Sequence, residues 1–214
     1  KLVRKCIATV LAAVMILSGL YRGDMERKLP ADGNVQLYDM YLNDPEISFG
    51  SYSSNLDKYH YIFRLGLSGP GTTAWDYSTG KGIKAAVLDS GANVNHRDLS
   101  ANVKGGYDAV NEIEGIQYVD DRHGHGSITS GILGGVGNNS FGAAGVAPDV
   151  ELYIVRVDDS EGDVYIENIV EGIRWAVDKG CRVISISLSG GNYNENYKEA
   201  IEYAVEHDAV VVCS

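Results

Sequence analysis

Cysteine is nearly absent from this sequence: Cys6, Cys181 and Cys213 are the three among 214 residues. A small disulfide scaffold needs more pairs, so stability has to come from a buried core. Cys181 and Cys213 lie in or beside apolar, β-like runs and read as two buried thiols. Neither has a convincing histidine partner, since His207 sits at the end of the helix preceding Cys213. Proline is scarce, at 4 residues, while glycine is abundant, at 26, which points to tight turns and close backbone approaches. Basic residues are outnumbered, 18 against 29 acidic, leaving a net charge of -11. That balance disfavours a nucleic-acid partner, because phosphate binding needs a basic surface. There is no internal repeat, no low-complexity tract, and no apolar run reaching the roughly 20 residues of a membrane span.

The nearest thing to such a run covers residues 6–20, behind the basic cluster Lys1, Arg4 and Lys5. Basic flank and short apolar stretch together have the form of a secretory signal. Residues 1–21 therefore read as a cleaved signal or as an uncleaved membrane anchor. Cys6 precedes the apolar stretch and so does not fit a lipid-attachment cysteine. Residues 22–70 are polar and tyrosine-rich with no sustained period, an irregular leading arm. Residues 71–214 carry the regular pattern of one globular domain, in a chain with 44% hydrophobic and 22% charged residues.

Within that domain, 83–88 is a short apolar run of the kind buried on both faces of a sheet. Residues 127–136 are small and apolar, suited to a tightly packed helix. A second strand is expected over 150–157. Ile166, Ile169, Val170, Ile173 and Val177 share one helix face, and Gly180 ends that helix. A strand over 183–188, a helix over 197–206 and a strand beginning at 209–212 complete the series. This alternation means right-handed βαβ units and a mostly parallel sheet, an α/β fold. Functional groups in such sheets gather at the carboxyl ends of strands, where Asp89 and residues 187–191 fall.

Two short motifs stand out, Val87-Leu88-Asp89-Ser90-Gly91 and Gly124-His125-Gly126-Ser127. Asp89 closes an apolar run. Alone it reads either as a turn or helix-capping residue or as a carboxylate that orients an imidazole. His125 stands between two glycines at the head of a helix, where a general base gains close access to substrate. His123 is the rival base, set against the charged stretch Asp120-Asp121-Arg122, whereas His60 and His207 lie in polar or helix-end contexts. Gly134-Gly135-Val136-Gly137 follows a helix and does not join a strand to one, so it is not a dinucleotide loop.

Further segments occur in order around these motifs. They are Asn43-Asp44-Pro45, Ala74-Trp75-Asp76, Gly80-Lys81-Gly82-Ile83, His96-Arg97-Asp98-Leu99, Gly145-Val146-Ala147-Pro148 and Ile184-Ser185-Ile186-Ser187-Leu188-Ser189-Gly190. Together with the Asp and His motifs they resemble the subtilisin-like serine peptidases, the subtilases, over about residues 43–214. Arg97, Ser127 and Ser189 stand where that family usually has Pro, Thr and Gly. The resemblance implies a three-layer subtilisin-like fold, with Asp89 and His125 as triad acid and base, and the pattern favours His125 over His123. It implies an edge strand at Gly162, Asp163 and Val164 that pairs with an extended peptide. Ser187, Leu188, Ser189 and Gly190 would form the wall of the primary specificity pocket. It implies a structural Ca²⁺ held by Asp98, Asn139 and carbonyls of the Phe141 to Ala143 loop, with a tight metal-free loop as the alternative reading.

The family's oxyanion-hole Asn and its nucleophilic Ser motif have no counterpart in these residues, and there is little room before Asn43 for a folding pro-domain. The expectation is the amino-terminal part of a secreted serine endopeptidase, its sheet incomplete at the carboxyl end, inactive alone, and acting on extended peptides or proteins when whole. No cofactor is expected for the chemistry, and membrane contact only through an uncleaved amino-terminal segment. The alternative is a non-catalytic peptide-binding module on the same fold.

Overall fold

β1 (Lys84–Asp89) is the strand around which the domain is organised. All of it beyond Lys84 is buried, as suits a strand apolar on both faces in the middle of a parallel sheet. β4 (Glu151–Arg156) and β5 (Val183–Ile186) run parallel on its two sides, so that Ala86 faces Tyr153 on one and Ile184 on the other. The computed structural model describes Asp44, Ile62, residues 65–67, 73–190 and 192–214. Among these, the sheet order is β3-β2-β4-β1-β5-β6. β2 (Val103–Asp108) and β6 (Val210–Cys213) are also parallel to their neighbours, and β3 (Ile113–Glu114) is an antiparallel edge.

Alternate residues of β1 feed different cores. Ala85 and Val87 pack with Leu133, Ala147, Val150 and Leu152, beneath helix α2 (His125–Gly134). Ala86 and Leu88 pack with Ile173, Ala176, Ala200 and Ala204, from helices α3 (Ile166–Asp178) and α4 (Glu195–Glu206). Trp175 anchors this second core, stacked on Tyr107 with centroids 5.0 Å apart and planes 7° from parallel. The strand period of two then puts Asp89 on the face of Ala85 and Val87, the face that α2 covers. A third cluster joins Ile62 and Leu67 to Trp75 of the short helix α1 (Ala74–Tyr77), whose indole donates to the Val146 carbonyl at 2.9 Å.

Apart from the edge strand implied at 162–164, each expected strand and helix is present with shifted ends. α2 starts at His125, β5 stops at Ile186, and α4 starts at Glu195, behind Asn194, whose side chain accepts the Tyr197 N–H at 3.1 Å. Gly180 does end α3, with φ +79 and its N–H on the Val177 carbonyl. β2 was not foreseen. Its sequence, Val-Lys-Gly-Gly-Tyr-Asp, has no apolar alternation, because its glycines lie flat against neighbours: a Cβ on Gly105 would fall 2.6 Å from the Tyr153 ring. Only one of the two thiols is buried. Burial pushes Cys181 up to about 12, whereas Cys213 is exposed with its Sγ 3.1 Å from the Tyr197 hydroxyl. The segment read as signal or anchor, 1–21, lies outside the described residues, as does most of the leading arm. No helix among the described residues is long and apolar enough to cross a membrane.

The tight seat of α2 is testable. A Cβ on Gly134 would meet Val150 Cγ1 at 2.6 Å and Leu152 Cδ2 at 2.9 Å, whereas one on Gly131 meets nothing within 4 Å. Gly134→Ala should lower unfolding stability by about 1–3 kcal/mol through overpacking. Gly131→Ala should raise it by roughly 0.5–1 kcal/mol through helix propensity. Urea denaturation midpoints of the two variants give the comparison, and equal midpoints would refute this account of the packing.

Candidate active site

Asp89 and His125 meet at the carboxyl end of β1. Nδ1 of His125 lies 2.8 Å from Asp89 Oδ1 and 3.0 Å from Oδ2. Asp89 is 1% exposed, and its oxygens are filled: the Ser90 N–H donates to Oδ1 at 2.8 Å and the Thr129 hydroxyl to Oδ2 at 3.1 Å. A carboxylate so held fixes the imidazole with its proton on Nδ1. The His125 side chain is 44% exposed, leaving its second nitrogen open to an incoming group. The pair can thus accept a proton from a nucleophile and stabilise the imidazolium that forms.

The two glycines around His125 do different work from the access expected of them. Gly124 has φ +84 and open space around it, so it is the turn into α2 that requires it. Gly126 faces inward: a Cβ there would stand 2.0 Å from the Gly91 carbonyl oxygen and 3.1 Å from Asp89 Cβ. Its absent side chain lets the helix start rest on the Asp89-Ser90-Gly91 loop.

Asp121, read in sequence only as part of a charged stretch, turns out to hold this junction together. Its Oδ1 accepts from the N–H groups of His123 and Gly124 at 3.0 and 2.7 Å and from the Ser90 hydroxyl at 2.9 Å. Its Oδ2 accepts from the Ser127 N–H at 2.7 Å and hydroxyl at 2.6 Å. The signal was available, because α2 begins behind a glycine with no capping side chain, so its free N–H groups needed an acceptor from upstream.

The expected substrate-binding residues lie on the loops after β4 and β5. Val164, Leu188, Ser189 and Gly190 line one cavity of about 660 Å³, together with Tyr197 and Ser214. Gly162, Asp163 and Ser187 are not among its lining. Residues 162–164 do not form an edge strand. Val164 makes a single antiparallel bridge to Asp158. The N–H of Asp163 donates to Asp159 Oδ1 at 3.0 Å, and its carbonyl accepts from the Asp159 N–H at 3.0 Å, closing a turn. The acceptor-rich Asp159 side chain, three residues past the end of β4, is what folds the segment back on itself. The rival base His123 is 3.4 Å from Asp158 through Nε2, not beside Asp89.

The residues expected around a cation also converge. Asp98 Oδ1 accepts from the Asn139 amide at 2.8 Å and Oδ2 from the Ala143 N–H at 3.3 Å, while Asn139 Oδ1 accepts the Phe141 N–H at 2.8 Å. Asp44, 1% exposed, joins them by accepting the N–H groups of Asn138 and Asn139 at 2.9 and 3.0 Å. The donor set has the chemistry of a hard-cation site, but its side-chain oxygens are turned to N–H donors. Among the described residues no three His, Cys, Asp or Glu converge as metal ligands.

Asp121 makes the junction pH-sensitive. Burial raises its carboxyl, but the hydrogen bonds from Ser127, Gly124 and Ser90 outweigh this and hold it below the usual range. Its contribution is therefore present above the ordinary carboxylate range and lost as pH falls through the lowered value. Asp121→Ala should cost about 1–2 kcal/mol at neutral pH, as deletion of a helix cap does. It should also flatten the acid limb of the stability curve. Urea midpoints from neutral to acid pH measure both, and an unchanged acid limb would contradict the assignment.

Known proteins share these features. The model of the subtilase family matches residues 80–214. Thermitase of Thermoactinomyces vulgaris is 40% identical over 141 residues, which is 66% of this chain and 50% of that protein. The major intracellular serine protease of Bacillus subtilis is 38% identical over 137 residues, 63% of this chain and 43% of the protease. The crystal structure of fervidolysin from Fervidobacterium pennivorans, described as a keratinolytic enzyme related to subtilisin, superposes with a TM-score of 0.61 at 31% identity. That match covers 69% of this chain and 23% of fervidolysin. The chain thus spans half or less of the length of these relatives. With an Asp–His pair at the carboxyl edge of a parallel sheet and a family match over most of its length, the chain belongs to the subtilase family.

Proposed function

We propose that this chain carries the acid and base of a serine endopeptidase that cleaves extended peptides or proteins. The observation that supports this reading most directly is the Asp89–His125 contact at 2.8 Å, with a buried carboxylate and a half-exposed imidazole. In the reaction, the second nitrogen of His125 takes the proton of a serine hydroxyl as the serine oxygen attacks the peptide carbonyl carbon. The tetrahedral oxyanion collapses, the C–N bond breaks, and His125 passes the proton to the leaving amine. Water then hydrolyses the acyl-enzyme by the same proton route. Asp89 keeps its charge throughout and stabilises the imidazolium. The cavity lined by Val164 and Leu188–Gly190 is the proposed seat of a substrate side chain, its lining mixing Ile166, Ile169 and Ile186 with Asn192 and Tyr193.

The serine and the oxyanion donor belong to motifs that these residues do not contain. The 214-residue chain should hydrolyse no peptide and take no label from a serine-directed phosphonate. A version extended through the family's serine motif should do both, and His125→Ala in it should lower kcat by on the order of 10⁴–10⁶. His125-dependent cleavage by the short chain would instead place the nucleophile within it, at Ser187 or Cys213. Export is part of the proposal and rests on the basic cluster Lys1, Arg4 and Lys5 ahead of the apolar run 6–20.

A structural Ca²⁺ at Asp98 and Asn139 is proposed on the chemistry of the donor set, and it requires the Asn139 amide to turn its oxygen away from Phe141. Calcium in about hundredfold excess over its Kd should then stabilise the fold by about 2.7 kcal/mol. The thermal midpoint should rise accordingly, and Asp98→Asn should abolish the response. Identical melting in calcium and in chelator withdraws the site.

A further inference from the structure

His123 and Asp158 form a second imidazole–carboxylate pair, close to the first and unused by the chemistry. The His123 backbone N–H is bound to Asp121 Oδ1 at 3.0 Å, within the cap of the catalytic helix. Its ring reaches the other way. Nε2 lies 3.4 Å from Asp158 Oδ2, and a Cβ on Gly162 would meet the ring's Cε1 and Nε2 at 3.0 Å. One residue thus touches both the helix start that carries His125 and the turn at 158–164. That turn is otherwise closed through its own members, by the Asp158–Val164 bridge and the Asp159 side chain.

We propose that His123 and Asp158 are positioning residues: a protonation-dependent tie that fixes the 158–164 turn, and with it the Val164 wall of the cavity, relative to catalytic His125. The part of this inference that concerns peptide binding rests on the peptidase reading above; the tie itself does not.

The charges around the pair set its sign. Asp158 is 4% exposed and its Oδ1 is buried without a hydrogen-bond partner. Burial pushes its carboxyl above the usual range, opposed by the positive charges of His123 and Arg156 and reinforced by the negative charge of Asp121. Arg156 is itself engaged by Asp108, its hydrogen-bonded partner across β2 and β4. The half-exposed His123, 45% accessible in its side chain, is the imidazole that faces this carboxylate. A protonated imidazole makes a charge-assisted contact, and a neutral one makes a weaker contact. The tie tightens while His123 carries its proton and Asp158 its charge, and slackens as pH rises and the imidazole loses that proton.

The test uses the full 214-residue chain labelled with nitrogen-15. Solvent-exchange protection of the Gly162 and Asp163 amides is measured between about pH 5 and pH 8, the range in which histidines change charge, and corrected for intrinsic exchange. Protection should be about threefold to tenfold higher at the acid end, the scale of a partly exposed ion pair. The step should vanish in Asp158→Asn. It should also vanish in His123→Gln, which keeps a neutral donor and should retain more protection than His123→Ala at every pH. Core amides such as Val87 and Ile154 should be unchanged in all variants, separating loss of the tie from loss of the fold. A pH-independent protection in the parent chain, or a step that survives in Asp158→Asn, overturns the tie.

Shifts of the Val164 and Leu188 signals on adding an extended peptide then address binding. Tighter binding at the acid end, lost in Asp158→Asn, supports the coupling to the cavity wall, and pH-independent binding overturns it. No binding at any pH counts against the peptidase reading, while the exchange data decide the tie without any peptide.

Discussion

The structure depends on one close approach, the start of helix α2 against the turn that leaves the central strand. Gly126 meets the Gly91 carbonyl where no side chain would fit, and this contact brings an imidazole on one element to a carboxylate on another. The residue ahead of α2 is Gly124, in the left-handed region, so the first N–H groups of the helix have no capping side chain of their own. Asp121 meets that need from outside the helix and adds the Ser90 hydroxyl to the same carboxylate. Helix start, β1 turn and capping loop are thereby one hydrogen-bonded unit. The position of His125 follows from the seating of its helix on the β1 turn and from the Asp121 and Ser90 hydrogen bonds that hold it there, which is the kind of preorganisation that acid–base chemistry needs.

The sheet supplies the other half of the argument. Parallel strands deliver Asp89, Arg156 and residues 187–190 to one edge because their carboxyl ends align. Two cores of different character hold that edge. Small residues and glycines let α2 lie close to the sheet on the side of Asp89, while the Trp175–Tyr107 stack and the alanines of α3 and α4 fill the opposite side. Val164 and Leu188–Gly190 then stand on neighbouring loops with a cavity between them. Acidic residues recur at this edge, in Asp89, Asp108, Asp121 and Asp158. Hydrogen bonds draw Asp121 and Asp108 below their ordinary range, but burial wins at Asp158. The negative charge of the chain is therefore partly structural, spent on fixing loops rather than spread over the surface.

Much of this was legible in the sequence, for a reason visible in particular residues. Strands buried on both faces are written as short, mostly apolar runs, so β1, β4 and, despite Ser185, β5 could be read directly. The stripe from Ile166 to Val177 has the helical period, so α3 could be too. The pairing of Asp89 with His125 was legible only through the resemblance to the subtilases, since Asp89 by itself reads equally as a turn or capping residue. By themselves these residues determined the α/β order, the face on which Asp89 lies, and the residue types of the site, because period and burial are local properties of the chain. Tertiary structure alone decided the rest. β2 was invisible because its glycines serve the Tyr153 ring and the Ile116–Val119 segment. Cys213 read as core yet lies exposed beside Tyr197. The 162–164 segment became a turn because the Asp159 side chain captured its backbone. The meeting of Asp121 with Ser90, and of His123 with Asp158 beside Gly162, came about only when residues far apart in sequence were brought together. Such contacts depend on which polar groups are left without water and who is close enough to satisfy them, and that is settled by packing, not by any pattern along the chain.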